Sequence, residues 1–303
     1  MVKSAYSLVE HLSKSLWFSR WQEGWFAVFS AYVDASGSET EIKTQFITVG
    51  GFIASVDVWS EFEKQWLLRL EEDGLVNEHG LAEFHMSDCA NFTYAFEAWR
   101  GQENRRRKLL EDLESIVSML GHKVSCVVNM NELKKGWDAD LREKLDLSAA
   151  YAVAGRVCAA RIQEWCGFSK SPPLSKVRLF FEQGDGIKMQ SDLKSRLLGD
   201  EYPDPIFARK RNKYSSKTGK LIEERLVPFQ AVDFLAYLVN LDAKCADHDW
   251  RDKKPLREIF VSISKIPEAT VQPTPELLSE LNVYLRAFSA FLSPASDNHG
   301  ASI

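Results

Sequence analysis

Residues 26–34 read FAVFSAYVD and residues 176–182 read KVRLFFE. Each is a short run rich in aromatic and aliphatic residues that closes on an acid, Asp34 in the first and Glu182 in the second. The second run is apolar on both faces, as a central strand of a covered sheet must be. Alternate side chains of a strand share a face, so Asp34 lies with Tyr32 and Ser30 while Val33 points the other way. A third acid, Asp233, interrupts the apolar stretch VPFQAVDFLAYLVN at 227–240. A carboxylate in such surroundings needs a cation, strong donors or a proton, because burying it bare is costly. Ligand sites in α/β sheets gather beyond the carboxyl ends of the strands. Three acids so placed suggest one shared cation site.

Working outward from these runs, QFITVGGFIAS at 45–55 reads as a second strand, joined to the first by a polar loop and paired with it antiparallel. Asp57 is placed to cap a helix with Trp59, Phe62, Trp66 and Leu70 on its apolar face. Residues 74–100 read as irregular and contain the compact group EFHMSD at 83–88. The segment 103–120 predicts an amphipathic helix with Leu109, Leu110, Leu113, Ile116, Val117 and Leu120 as its stripe and Gly121 at the C-cap. A strand KVSCVVNM follows, then an alanine-rich, deeply packed helix over 146–166.

After the central strand, QGDG at 183–186 turns the chain into a helix near 187–198. IFARKRNKY and KLIEERLVPF flank SSKTG and predict a long hairpin with a basic tip. Pro228 suits the first turn of a helix that runs to about Lys244 and is apolar nearly all round. A proline-containing connector then leads to a last amphipathic helix opened by Thr274, Pro275 and Glu276. Strands first, then alternating helices and strands, argue for an α/β fold with a mixed sheet flanked by helices. The expected organisation is a helical extension over 1–25 and one domain over 26–260, with 57–100 inserted over one sheet edge after the second strand. A C-terminal helical segment over 261–292 and a disordered tail over 293–303 complete it.

The 303 residues carry a formal net charge of −5, so any nucleic-acid contact must come from a local basic patch. Five cysteines, Cys89, Cys126, Cys158, Cys166 and Cys245, form no CxxC pair and read as reduced thiols. The N-terminus has no clean apolar core for a signal peptide, and no segment approaches the roughly 18 apolar residues that span a bilayer. The expectation is a soluble, cytoplasmic protein with no membrane partner. No glycine-rich phosphate loop or GxSxG elbow occurs, which leaves dinucleotide and acyl-transfer chemistry poorly supported.

Gln230, Asp233 and Tyr237 fall at i, i+3 and i+7, a stripe that can face the strand ends. Oxygen ligands from three elements suit Mg²⁺ or Mn²⁺. Two such ions about 4 Å apart clamp the attacking and leaving oxygens of an in-line phosphoryl displacement. Arg209, Lys210, Arg211, Lys213, Lys217 and Lys220 on the basic tip would hold a phosphate backbone. Glu83 and His85 share a face if their segment is extended, which makes Glu83 a supporting group and His85 a proton carrier or outer ligand. Asp185 is a further candidate for that assisting role, and Gln230 for orienting a ligand.

The runs YVDASG, EFHMSD, FFEQGD and PFQAVDFLAY, in that order over about residues 27–245, resemble the bacterial and phage family called domain of unknown function 3800. Its members look like divergent relatives of the RNase H-like nuclease superfamily. The resemblance implies an RNase H-like core with a first-strand acid at Asp34, a middle-strand acid at Glu182 and a C-terminal-helix acid at Asp233. It also implies a divalent-metal-dependent nuclease acting on RNA or DNA. The family's opening motif is an Asp-Glu-Ser-Gly run, whereas Ala35 stands where that Glu would be. Strand alternation turns this position away from Asp34.

Each residue also has a purely structural reading. Asp34 can open a turn, Glu182 can pair with Arg178 at the rim, and Asp185 can be a helix N-cap. Asp233 can be half of a buried ion pair with an arginine. His85, between Phe84 and Met86, can be hydrogen-bonded packing, and no second ligand pair joins His85 and Cys89 in a zinc site. The basic tip can be a solvated hairpin. The alternative function is accordingly a non-catalytic RNase H-like interaction or regulatory protein. A phosphatase or nucleotide hydrolase using the same metals is less favoured, because a small substrate needs no extended cationic surface.

Overall fold

Pairing along residues 29–36 organises the molecule. A computed structural model describes residues 29–36, 46–76, 81–135, 147–165, 177–182, 205–209, 213–214, 221–223, 225–245 and 254–271. In chain order its elements are β1 (Phe29–Ser36), β2 (Phe46–Ser55), α1 (Val56–Glu72), α2 (Met86–Asn91), a 3₁₀ turn (Tyr94–Trp99) and α3 (Glu103–Val117). These are followed by β3 (His122–Asn129), α4 (Met130–Lys135), α5 (Leu147–Trp165), β4 (Val177–Glu182) and β5 (Ile206–Ala208). Then come β6 (Lys213–Tyr214), β7 (Leu221–Glu223), α6 (Pro228–Cys245), α7 (Lys254–Ser264) and β8 (Glu268–Val271).

The main sheet has six strands in the order β5-β4-β1-β2-β3-β8. β2 runs antiparallel to both β1 and β3, while β4 runs parallel to β1, β5 parallel to β4, and β8 parallel to β3. The fold is therefore mixed α/β, with helices packed on both faces of the sheet. Alternation sorts the side chains as the strand period requires. Ala31 and Val33 join the apolar layer that contains α5, while Tyr32 joins the one that contains α1 and α6. Ala35 packs with the α5 layer, so its side chain turns away from Asp34.

α6 lies directly on β1 and β2. A Cβ on Gly50 would come within 3.3 Å of Ala236 Cα, so glycine eases the close approach of the helix backbone. Phe229 meets Tyr32 edge-on at 5.5 Å, and Asn240 Nδ2 donates to Ser36 O, Phe46 O and Thr48 Oγ1 at 3.2–3.4 Å. These contacts pin both ends of the helix against the sheet.

The structure corrects four expectations. Ser55, whose Oγ accepts from Val58 N, caps α1, and Asp57 lies in its first turn. Residues 57–100 do not lie over one edge, because Trp59, Phe62, Trp66 and Leu70 are fully buried and Trp59 stacks edge-on against Tyr32 near the sheet centre. An aromatic stripe of that size needs a whole face to bury it. The long hairpin divides: Ile206–Ala208 pairs with β4 in the main sheet, and only β6 with β7 forms a separate two-stranded ribbon. The boundary at 260 falls inside α7, and β8 beyond it extends the main sheet.

The expected extension over 1–25, the helix near 187–198 and the helix opened by Thr274 lie outside the described residues, as does the tail over 293–303. Among the described residues no helix is long and apolar enough to cross a membrane.

Candidate functional site

Parallel register brings two of the three acids together. β1 and β4 pair from Phe29↔Val177 to Val33↔Phe181, with Tyr32 stacked on Phe180 at 4.6 Å. One residue further along each strand stand Asp34 and Glu182, on neighbouring strands and on the face that carries Tyr32 and Phe180. Asp34 is 3 % exposed and its Oδ1 accepts the Ala35 N–H at 2.7 Å. Glu182 is half-buried and pairs through its backbone with Ala208 of β5.

Asp233 stands one turn beyond Phe229 on α6, the helix that packs on β1 and β2. Asp233 also falls on the stripe of Phe229, Ala236 and Asn240 that meets the sheet, since these residues follow the i, i+4, i+7, i+11 spacing. Its carboxylate is 8 % exposed as part of the residue and engages the segment 83–88. Oδ2 accepts the Met86 N–H at 2.7 Å, and Oδ1 lies 3.3 Å from His85 Nε2. An imidazole and a backbone amide are thus among its partners.

His85 bridges two acids. Its Nδ1 lies 3.3 Å from Asp88 Oδ2 and 3.1 Å from Ser87 Oγ, while Nε2 faces Asp233. With both ring nitrogens protonated the imidazolium serves both carboxylates at once. Its side chain is 22 % exposed, so solvent reaches one side of this relay. Glu83 takes a different course and lies 3.5 Å from Arg225, whose guanidinium also donates to Ala82 O. Glu83 therefore braces the segment through Arg225.

Gln230 holds the same segment to α6. Its Oε1 accepts from Phe84 N at 2.9 Å and from Trp66 Nε1 at 3.0 Å, which fixes the orientation of the amide. Its Nε2 is buried without a hydrogen-bond partner among the described residues. Burial pushes the neighbouring Cys89 thiol up to about 12, with Arg106 acting weakly the other way. Cys89 is therefore a buried, packed thiol. Burial likewise raises the Tyr237 phenol, with Cys89 adding to the effect.

Asp34 and Glu182 offer hard carboxylate oxygens of the kind Mg²⁺ and Mn²⁺ prefer. Asp233 is a third carboxylate, with Oδ2 on Met86 N and Oδ1 beside His85 Nε2. The donor chemistry of the three acids fits such an ion. Among the described residues no three Asp, Glu, His or Cys side chains stand close enough to hold one as placed.

Arg209 is half-buried and its carbonyl accepts the Leu226 N–H at 2.8 Å. Lys213 lies on β6, while Asp185, Lys210, Arg211, Lys217 and Lys220 lie outside the described residues. The sequence reading missed Asp88 and Ser87 as partners of His85, although both belong to EFHMSD. The i, i+3 spacing of His85 and Asp88 was the available signal. Comparison with protein-family models, with curated proteins and with solved structures returns no match to this chain.

Proposed function

We propose that this chain is a divalent-metal-dependent nuclease with an RNase H-like core. The observation that supports the reading is the register of β1 with β4, whose last pair, Val33↔Phe181, lies one residue before Asp34 and Glu182 on two parallel strands. The strand order β5-β4-β1-β2-β3, with β2 alone antiparallel in that set, agrees with such a core, and β8 is an addition to its edge. Asp34, Glu182 and Asp233 would hold Mg²⁺ or Mn²⁺, which when bound supplies Lewis-acid polarisation of the phosphate and a more acidic water. His85 sits within reach of Asp233 and solvent, and carries a proton between them. Asp88 and Ser87 orient its ring through Nδ1. Arg209 and the lysines and arginine that follow it would attract the nucleic-acid backbone, and Asp185 would assist as an outer ligand.

The test is cleavage of labelled RNA, DNA and hybrid duplexes with Mg²⁺ or Mn²⁺, alongside Asp34→Asn and Glu182→Gln. Cleavage by the wild type and none by either variant is expected. No cleavage of any substrate, with no metal binding by calorimetry, overturns the reading.

A second reading, a non-catalytic interaction protein on the same fold, is favoured by one observation. Both Asp233 oxygens already serve residues 85–86, so this acid has a full structural occupation. Metal binding that disappears in Asp34→Asn eliminates it.

A further inference from the structure

Two aromatic residues at the far end of α2 adopt a backbone conformation that aromatic residues rarely take. Phe92 has φ 54° and Tyr94 φ 51°, both left-handed. At the three other left-handed positions among the described residues the chain uses glycine, at Gly74, Gly101 and Gly121. Freedom to turn therefore does not explain Phe92 and Tyr94; their rings must. Phe92 has an internal reason, since Arg106 lies over its ring at 4.4 Å and the ring packs on the core. Tyr94 has none. It is 79 % exposed and makes no hydrogen bond or ring contact among the described residues.

The turn that presents Tyr94 is held from both sides. Thr93 donates through its backbone to Asp88 O and through Oγ1 to Asp88 Oδ1, and Phe96 N donates to Thr93 O. Strain kept by such bracing marks functional positions more often than idle ones. Arg100 completes the surface: it is exposed and its Nε donates to Phe92 O at 3.3 Å. Arg105, Arg106, Arg107 and Lys108 each reach a carboxylate, whereas Arg100 reaches none among the described residues. A projecting ring, with a guanidinium held to the nearby Phe92 O and on no carboxylate among the described residues, matches one nucleotide, base on ring and phosphate on cation.

We propose that Tyr94 and Arg100 form a stacking subsite for single-stranded nucleic acid, a reading that rests on the nuclease assignment above. α2, which links His85 to Phe92, is about 9 Å long. Stacked nucleotides advance about 3.4 Å each, so the subsite takes a base about three positions from the one beside His85. A duplex hides its base faces, and Tyr94 therefore selects single strands or splayed ends.

The test measures binding of a labelled 12-mer, as single strand and as duplex, by fluorescence anisotropy of the full chain in EDTA, which prevents cleavage. Tyr94→Ala and Tyr94→Asn remove the ring, and asparagine tolerates the left-handed backbone. Both should weaken single-strand binding by about 5- to 150-fold and leave duplex binding within about 2-fold, and Tyr94→Asn should not lower the thermal unfolding temperature, because it suits the left-handed backbone. Tyr94→Trp should retain affinity, and Arg100→Gln should lower the salt slope by about one. Unchanged single-strand affinity in both ring-removing variants overturns the subsite and leaves the nuclease reading standing. Equal losses on single strand and duplex also overturn it, because stacking would not be the cause. Failure of the wild type to bind any nucleic acid removes both readings together.

Discussion

Replacing Asp233 tests the central geometry, because this carboxylate fastens residues 83–91 to α6. Met86 N donates to it at 2.7 Å, a hydrogen bond to a charged acceptor worth about 1.5–3 kcal/mol. The contact with His85 is partly exposed and adds at most about 1 kcal/mol. Asp233→Ala should therefore cost about 3 kcal/mol, whereas Asp233→Asn keeps an acceptor for Met86 and should cost about 1 kcal/mol. The difference of about 2 kcal/mol isolates the Met86 contact and should appear as roughly 30-fold faster hydrogen exchange of that amide in the alanine variant. Urea unfolding without metal gives the first quantity and exchange mass spectrometry the second. Equal stabilities for the two variants, or unchanged exchange over 83–91, would refute the claim that Asp233 anchors this segment. A more stable Asp233→Asn would show a carboxylate whose burial is still uncompensated and awaits a cation.

Other positions give independent checks. Lys123 is 3 % exposed and its Nζ donates to Ile263 O, Ser264 O and Ile266 O at 2.9–3.0 Å, so Lys123→Met should cost about 3 kcal/mol in urea; a loss below about 1 kcal/mol contradicts its role as the C-terminal clamp of α7. A Cβ at Gly51 would lie 2.5 Å from Tyr32 O, against 3.3 Å from Ala236 Cα for one at Gly50. Gly51→Ala should thus lower the melting temperature far more than Gly50→Ala, and the reverse order would mean that the β1–β2 spacing is wrong. Burial alone would raise the Asp112 carboxyl, but hydrogen bonds from Lys108 and Arg69 outweigh it and hold the group below its ordinary value. Its stabilisation is present above about pH 4 and fades as pH falls further; Asp112→Asn should therefore cost stability at pH 7 and less at pH 3, and an equal cost at both counts against the pairing.

What the sequence disclosed follows the range of the forces involved. β1, β2, β3, α3, α5 and α6 were legible because local periodicity determines them, and the two-faced apolar character of 176–182 marked β4 as central. β5 and β8 were not, since three- and four-residue strands carry little pattern and exist through pairing with β4 and β3. IFA looked like part of the basic hairpin for that reason. Within the site, Asp34 and Glu182 were legible as strand-end acids, because parallel alignment equalises strand ends. The grip of Asp233 on Met86 was not, because a backbone N–H has no letter. The relay through Asp88 lay inside a motif already noticed, but its direction depends on how 83–88 folds over α6.

That segment should behave as one unit, which a double-mutant cycle can show. Gln230 accepts the Phe84 N–H, Asp233 accepts the Met86 N–H, and the two amides lie two residues apart on the same extended stretch. Gln230→Ala leaves Phe84 N and Trp66 Nε1 without their acceptor and should cost about 2–4 kcal/mol. Once either anchor is lost the stretch can lift, so losing the second releases less than it does alone. Asp233→Ala and Gln230→Ala should therefore combine with a shortfall of about 1 kcal/mol or more from additivity. Additivity within about 0.5 kcal/mol would mean that the two anchors hold separate pieces of chain. His85 would then owe its tie to α6 to Asp233 and not to Gln230, and Tyr94, at the other end of α2, could not sense what happens at the acids.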